Sequence, residues 1–510
     1  MSEPAAAASA LLPGFAGGTL HHLRLDRPVP FDVEGRRVAV AAICDDSRAV
    51  TQGALFLLLP SACTGYEEGR VRRYCAEARA RGAGCLVTVG LDLLLEPGMP
   101  HLALASMEQA GALLGRLLGT RDRPPRCIGV TGTDGKSSIV WMVRHALARK
   151  LGSAWSLGTL GWMRAADDCL PLDNTTPSLL TLHGVRADAG RAGVGALVCE
   201  VSSHGVAQQR IAGIPFSAAL WSNLGRDHLE EHGGSERYRA LKCRFMQQVA
   251  AGGGRVVGNG DHPVVVEELG RLEGACWYRR DEGGAAAPDT LAWSVEDGRR
   301  LCLAVAEGSV VVEDVPPAAF HHENLAAAAA LLWFGGLAGL DDLPALLSSM
   351  PTPTGRMEQV AAGVYIDYAH TPEALAALLA SARPLCRGRL LLLFGCGGGR
   401  DRAKRARMGE IAACGADALW ITEDNPRDED ARAIAEEIAA GVAGRCPCRI
   451  EIDRGAAIAD ALRAKGPEDL LLIAGKGHES YIERDGVRQP WSDADCVRAL
   501  LRQPPERRWA

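Results

Sequence analysis

Residues Thr131 to Ser138 read T-G-T-D-G-K-S-S, between a short apolar run from Arg126 and a long helical pattern that begins near Lys136. Strand, glycine turn and helix N-terminus in that order present backbone N–H groups to phosphate oxygens. In this reading Lys136 holds the β- and γ-phosphates and Ser137 a Mg²⁺ ion, with Thr131, Gly132, Thr133, Asp134, Gly135 and Ser138 completing the loop. Valine occupies position 130, where the usual phosphate loop has its first glycine, so the loop is a variant and a structural glycine turn is the alternative. Glu200 ends another apolar run, where a carboxylate can reach a phosphate site; a surface charge is the plainer reading. Arg400 and Arg427 have the planar fork that pairs with carboxylates, and Arg400 to Arg407 is the densest arginine cluster in the chain.

Such residues need strands and helices to hold them. At 510 residues the chain exceeds one hydrophobic core. Runs at Ala54 to Leu59 and Gly84 to Val89, around a helical stretch, predict a small α/β domain over 1–108. The phosphate loop and the strands at Gly195 to Val201, Ala218 to Asn223 and Arg255 to Val257 predict a central P-loop α/β domain over 109–349, closed by a helix at Asn324 to Leu332. P-T-P-T-G at Pro351 to Gly355 reads as a linker. Strands at Val364 to Tyr368, Leu390 to Phe394, Ala418 to Thr422 and Leu470 to Ala474 then predict a parallel Rossmann-like domain over 350–510. The fold class is thus three-domain α/β.

A net charge of −6 gives no electrostatic case for nucleic acid. No apolar run reaches the roughly 18 residues of a spanning helix, and Met1 to Leu20 lacks a basic start. A cytoplasmic protein without membrane partners, and a monomer, is the expectation. The 16 cysteines are scattered and read as free thiols; Cys446 and Cys448 have no second pair at ligand spacing.

The loop resembles that of the Mur ligase superfamily, T-G-T-N-G-K-T/S, with Asp134 in place of Asn, and the resemblance extends along the whole chain. It implies ATP-dependent amide formation on an anionic muramoyl dipeptide, with catalytic Lys136, Glu200, His228 and Lys242. Glu200 in E-V-S-S-H-G and His228 in N-L-G-R-D-H-L match metal ligands, and hard oxygens with an imidazole suit Mg²⁺. Lys242 matches a lysine carried as a carbamate, which would make it an anionic metal ligand; a solvated helix lysine is the plainer reading. Asn174, Thr175, Thr176, Ser202, Gln208 and Arg210 match contacts to the acyl substrate, and Ser47 in D-S-R matches a uridine-domain contact. Asn324 matches an adenine contact, while His321 replaces the Asn that precedes it. Arg356 and Asp367 match residues that complete the ATP site. Asp424, Asn425, Pro426 and Arg427 match the motif of members that take meso-diaminopimelate rather than L-lysine. Arg400, Gly475 and Glu479 match further amino-acid contacts, with Glu479 suited to the distal ammonium.

Some positions depart from the family. The usual D-G-H or D-G-R turn is absent from Ala62 to Gly69, Gly399 stands where Asp is usual, and Ala403 and Ala406 replace family residues. Two other readings stay open: a paralogue that uses another amino acid or acyl carrier, and a member that binds nucleotide without turnover.

Overall fold

The structure, a computed structural model, describes Leu12 and residues 15–60, 68–91, 99–119, 124–165, 168–225, 234–283 and 286–502. The chain forms two compact units with a multidomain α/β architecture. Met1–Glu296, Arg300–Glu313 and Asn324–Ser348 make the first; Asp297–Arg299, Asp314–Glu323 and Ser349–Ala510 make the second.

The first unit holds two sheets. In the five-stranded sheet, His22–Val33 pairs antiparallel with Arg36–Cys44, which continues in parallel through Ala54–Leu58, Cys85–Val89 and His101–Leu104. The helix Glu68–Ala80 makes the crossover. The antiparallel pair at the start was not read from the sequence, because Pro28 and Pro30 interrupt the apolar alternation of its first strand.

The second sheet has eleven strands with a parallel centre in the order Cys276–Arg280, Arg255–Asn259, Phe216–Trp221, Arg126–Thr131, Ala196–Glu200, Ala154–Gly158. Central strands are buried on both faces, hence their unbroken apolar sequences. At one edge Arg300–Val305 alternates half-buried and buried residues, as an antiparallel strand with one covered face must. The segment 324–332 lies in the helix Ala319–Phe334.

The second unit is built on a six-stranded sheet. Val364–Asp367, Leu470–Ala474, Leu390–Phe394, Ala418–Ile421 and Cys448–Ile450 run parallel in that order, and Glu358–Ala361 is antiparallel at the edge. Side chains alternate between two cores. Leu390, Leu392 and Phe394 enter one, Leu391 and Leu393 the other. Each fully buried leucine contributes roughly 1.5–3 kcal/mol, so both faces must be covered by helices. A hairpin, Tyr481–Arg484 with Val487–Pro490, follows the last central strand; neither it nor Cys448–Ile450 was expected. Among the described residues, no helix is long and apolar enough to cross a membrane, and every cysteine is a free thiol.

Candidate functional site

In the first unit, three neighbouring parallel strands end side by side. Glu200 lies level with Val130, and Trp221 with Thr131. The loop after Thr131, the Glu200 carboxylate and the segment Ser222–Gly225 therefore share one end of the sheet, where α/β proteins place their ligands.

Thr131 leads into the loop and the helix Lys136–Leu151 follows it. Gly132 (φ 152°) and Gly135 (φ 82°) take backbone angles that side chains resist, and a Cβ on Gly132 would lie 2.0 Å from Ser222 Oγ. The helix starts without a side-chain cap and without an acidic residue in its first turn, which leaves a positive helix end beside the loop. Lys136 folds back, donating to the carbonyls of Gly132 (3.0 Å) and Thr133 (2.7 Å).

Asn223 straps the loop. Its Oδ1 accepts from Thr133 N at 3.0 Å and Asp134 N at 2.9 Å, and Ser222 Oγ donates to Asp134 O at 2.7 Å. Asn324, nearly buried, approaches from another side, since a Cβ on Gly135 would meet its Oδ1 at 2.6 Å. Lys242, on the helix Ser235–Ala251, is buried and donates to Gly132 O at 2.6 Å, with Nζ 4.5 Å from the Tyr238 ring centre. As an ammonium, with no lone pair, it donates to the loop and cannot ligate a cation; a metal role needs the carbamate.

Glu200 is buried, with Oε1 accepting from Thr159 N (2.8 Å) and Oε2 from Thr159 Oγ1 (3.1 Å). Thr159 Oγ1 meets Thr175 Oγ1 at 3.1 Å. Thr176 donates to Glu200 O and lies 3.0 Å from Ser202 Oγ, while Arg210 donates to Thr176 O and to Gln208 Oε1. Thr175, Thr176, Ser202, Gln208 and Arg210 thus form one hydrogen-bonded chain leading from Glu200; Asn174 stands at its end in sequence. Ser47 lies in the five-stranded-sheet region, buried and donating to Glu77 Oε2 at 2.8 Å.

His228 lies outside the described residues, as does most of the segment Ala62 to Gly69. Among the described residues no group of three or more His, Cys, Asp or Glu is gathered as a metal site. The donors that are described still suit Mg²⁺: Ser137 and Ser138 are nearly buried, Glu200 is a carboxylate, and the buried Thr131 hydroxyl has no hydrogen-bond partner among the described residues.

In the second unit, the parallel strands likewise bring Asp367, the glycine loop before Arg400, Asp424–Arg427 and Gly475–Glu479 to one sheet end. Asp367 accepts from the amides of Met357 and Ala369, both at 2.7 Å; burial raises its pKa against the pull of Arg356 and these amides. Arg356 stacks 4.7 Å over Tyr368. His321 lines a cavity of about 240 Å³ with Met357 and Tyr365, and burial pushes its pKa down to about 3, so the ring is neutral.

Arg427 has φ 53°, rare for a residue with a side chain. Glu483 O and Asp485 N hold its backbone, and its Nη1 donates to Gly398 O at 2.7 Å. Arg427 and the exposed Arg400 both flank Gly397. The two expected amino-acid loops are joined by Lys476, which is fully buried. Its Nζ donates to Asn425 Oδ1 (2.9 Å) and Glu479 Oε2 (3.0 Å), and lies 3.5 Å from Asp424. Asn425 Nδ2 also donates to Glu479 Oε2. One oxygen of Glu479, expected to meet a substrate ammonium, is therefore already committed to a protein ammonium. Gly475 has no room for a side chain, since a Cβ would lie 2.6 Å from Asp424 Oδ2.

Sequence reasoning missed Thr159, which sits in an ordinary turn and carries no local signal. Asn223 and Lys476 lay inside segments that were recognised, but nothing in their types marked them as the residues that tie loops together.

A glycine loop at the end of a parallel sheet, with a buried carboxylate beside it and a second α/β unit bearing arginine-rich loops, is an arrangement suited to a nucleotide-dependent ligase. The Mur ligase middle domain matches residues 130–332 and the Mur ligase glutamate ligase domain residues 355–477; the chain belongs to the Mur ligase family. It is 35% identical to UDP-N-acetylmuramoyl-L-alanyl-D-glutamate–2,6-diaminopimelate ligase of Pseudomonas aeruginosa, covering 91% of this chain and 96% of that one. The ligase of the same name from Parasynechococcus marenigrum is also 35% identical, covering 96% and 99%. A solved structure of a ligase of that name superposes with TM-score 0.66 at 28% identity, over 92% and 98% of the two chains. MurF ligase from Thermotoga maritima, solved with ADP, shares the fold at TM-score 0.55 and 18% identity, over 85% and 93%. Within the family the chain groups with the MurE-type, diaminopimelate-adding enzymes.

Proposed function

We propose that this protein joins meso-diaminopimelate to UDP-N-acetylmuramoyl-L-alanyl-D-glutamate at the expense of ATP, in peptidoglycan precursor synthesis. The observation that carries this reading is the near end-to-end match to relatives named for that reaction. On this reading residues 1–108 bind the UDP-substrate, 109–349 form the P-loop ATP domain and 350–510 a Rossmann-like amino-acid domain, in a cytoplasmic monomer.

The glutamate γ-carboxylate attacks the γ-phosphorus of ATP, and ADP leaves. The amine of the amino acid then attacks the acyl phosphate, expels inorganic phosphate and loses a proton as the amide forms. Lys136 and the N–H groups of the loop from Thr131 to Ser138 offset charge on the phosphates, with Asn324 near the adenine; Arg356 and Asp367 match ATP contacts as well. Ser137, Glu200 and His228, with a carbamate on Lys242, would hold Mg²⁺, which supplies further positive charge there. Ser47, Asn174, Thr175, Thr176, Ser202, Gln208 and Arg210 bind the acyl substrate. Arg400, Arg427, Asp424, Asn425 and Glu479 take the amino acid, the arginines facing its carboxylates.

Phosphate release from ATP is measured with the UDP-dipeptide and meso-diaminopimelate, L-lysine or no amino acid. Release with meso-diaminopimelate alone, with the tripeptide mass, is the expected result; no release with either amino acid from protein that binds ATP overturns it. A paralogue with another acyl carrier is the second reading. It is favoured by the altered segment Ala62 to Gly69 and by Ser47, whose hydroxyl is paired with Glu77. Its mark is ATP binding without UDP-dipeptide binding. Intact mass with and without bicarbonate tests the Lys242 carbamate.

A further inference from the structure

Arg454 and Asp493 form an ion pair in which neither side chain has any solvent exposure. Arg454 opens the helix Arg454–Ala464 and Asp493 opens Asp493–Arg502. Arg454 Nε and Nη2 each donate to an oxygen of Asp493 at 2.7 Å, and Trp491 Nε1 donates to Asp493 Oδ1 at 2.8 Å, which fixes the carboxylate.

The other contacts of the guanidinium are two backbone carbonyls. Nη1 donates to Glu423 O and Nη2 to Ala474 O, both at 3.0 Å. Glu423 immediately precedes Asp424–Arg427, and Ala474 immediately precedes Gly475–Glu479. The strands that end there are not neighbours, because Leu390–Phe394 lies between them. One side chain therefore reaches past the intervening strand and ties together the roots of two loops.

A fully buried ion pair is no more stabilising than apolar packing of the same volume. Its planar fork can nevertheless satisfy a carboxylate and two divergent carbonyls at once, which an ammonium on a flexible stem cannot. The sheet spaces the two strand ends only through the intervening strand Leu390–Phe394, so the loops that leave them start two strand widths, roughly 10 Å, apart. Yet Lys476 must reach both Asn425 and Glu479 for the loops to form one pocket.

We infer that Arg454, held by Asp493, is a positioning residue for the amino-acid pocket: it sets the separation of the Asp424–Arg427 and Gly475–Glu479 loops. The assignment of that pocket rests on the function proposed above. The spacing role itself does not.

Two variants test it. Arg454→Met/Asp493→Leu removes both charges together, which spares the fold an orphaned charge; Arg454→Lys keeps the pair but cannot reach both carbonyls. In each, the KM for meso-diaminopimelate rises about tenfold or more, while those for ATP and the UDP-dipeptide stay within about twofold. Amide hydrogen exchange quickens in residues 424–427 and 475–479 and stays at the parental rate in the rest of the sheet, a readout that needs no substrate. Should the double variant fail to fold, Arg454→Lys carries the test through the same measurements. Parental exchange in both loops overturns the inference, as does a rise spread through the whole unit with all three KM values moving together. If the parent protein does not turn over meso-diaminopimelate, the functional reading fails and loop exchange alone decides the positioning role.

Discussion

Gly158 ends the strand Ala154–Gly158 beside Glu200, and replacing it with alanine tests whether the exact seat of that carboxylate matters. A Cβ at position 158 would lie 2.1 Å from Glu200 Oε1, 2.6 Å from Cδ and 2.7 Å from Cγ. Glu200 is only 1% exposed, so its side chain has no free space to swing into. Ordinary contact begins near 3.4 Å, so the carboxylate must retreat by about 1.3 Å. That shift breaks the 2.8 Å bond from Thr159 N and the 3.1 Å bond from Thr159 Oγ1. Overpacking costs roughly 1–3 kcal/mol of stability. A displacement near 1 Å at a reacting centre costs about 10²-fold in rate, so kcat for phosphate release should fall by about that factor. Binding of a fluorescent ATP analogue without Mg²⁺ should change little, because the strand Ala196–Glu200 lies between Gly158 and the strand that carries the loop. Gly252→Ala is the control, since its φ of −79° suits any residue and a Cβ there would make only ordinary contacts at 3.4 and 3.5 Å. A Gly158→Ala enzyme with kcat within about threefold of the parent, correctly folded, would refute the importance given to this geometry.

Two further outcomes follow from buried polar groups. His183 is fully buried with Nε2 2.9 Å from Ala212 O, and burial, the largest influence, lowers its pKa to about 4. A depressed histidine keeps its stabilising share above the unfolded value of 6.5 and loses it as pH falls toward 4, about 2 kcal/mol by pH 5. His183→Gln should therefore flatten the decline of the urea midpoint between pH 7 and pH 5, and a curve parallel to the parent's would exclude this role. Lys476→Met strands the buried Asp424 carboxylate and leaves the half-buried Glu479 without its ammonium. Removing one partner of a buried pair costs about 3 kcal/mol or more, which lowers the melting temperature of the second unit by roughly 6–12 °C. The KM for meso-diaminopimelate should rise with it, and a variant that melts and binds like the parent would count against the loop-joining role of Lys476.

Much of the scaffold is legible because burial on both faces writes itself into the sequence. The runs at Leu390–Phe394 and Leu470–Ala474 are wholly apolar and locate themselves. Strands interrupted by proline, such as His22–Val33, or exposed throughout, such as Val487–Pro490, do not locate themselves in this way.

The sequence alone determined the chemistry on offer: a glycine loop with Lys136, carboxylates at strand ends, and arginines suited to carboxylate ligands. These are local facts of residue type and spacing, fixed by backbone geometry within a few residues. Which of them meet was decided by the tertiary structure. Glu200 is seated by Thr159, 41 positions away, and the loops of Asn425 and Glu479 are joined by Lys476 and tethered by Arg454. Such contacts depend on strand order and on which buried groups find partners, and neither quantity is encoded in any short stretch of the chain.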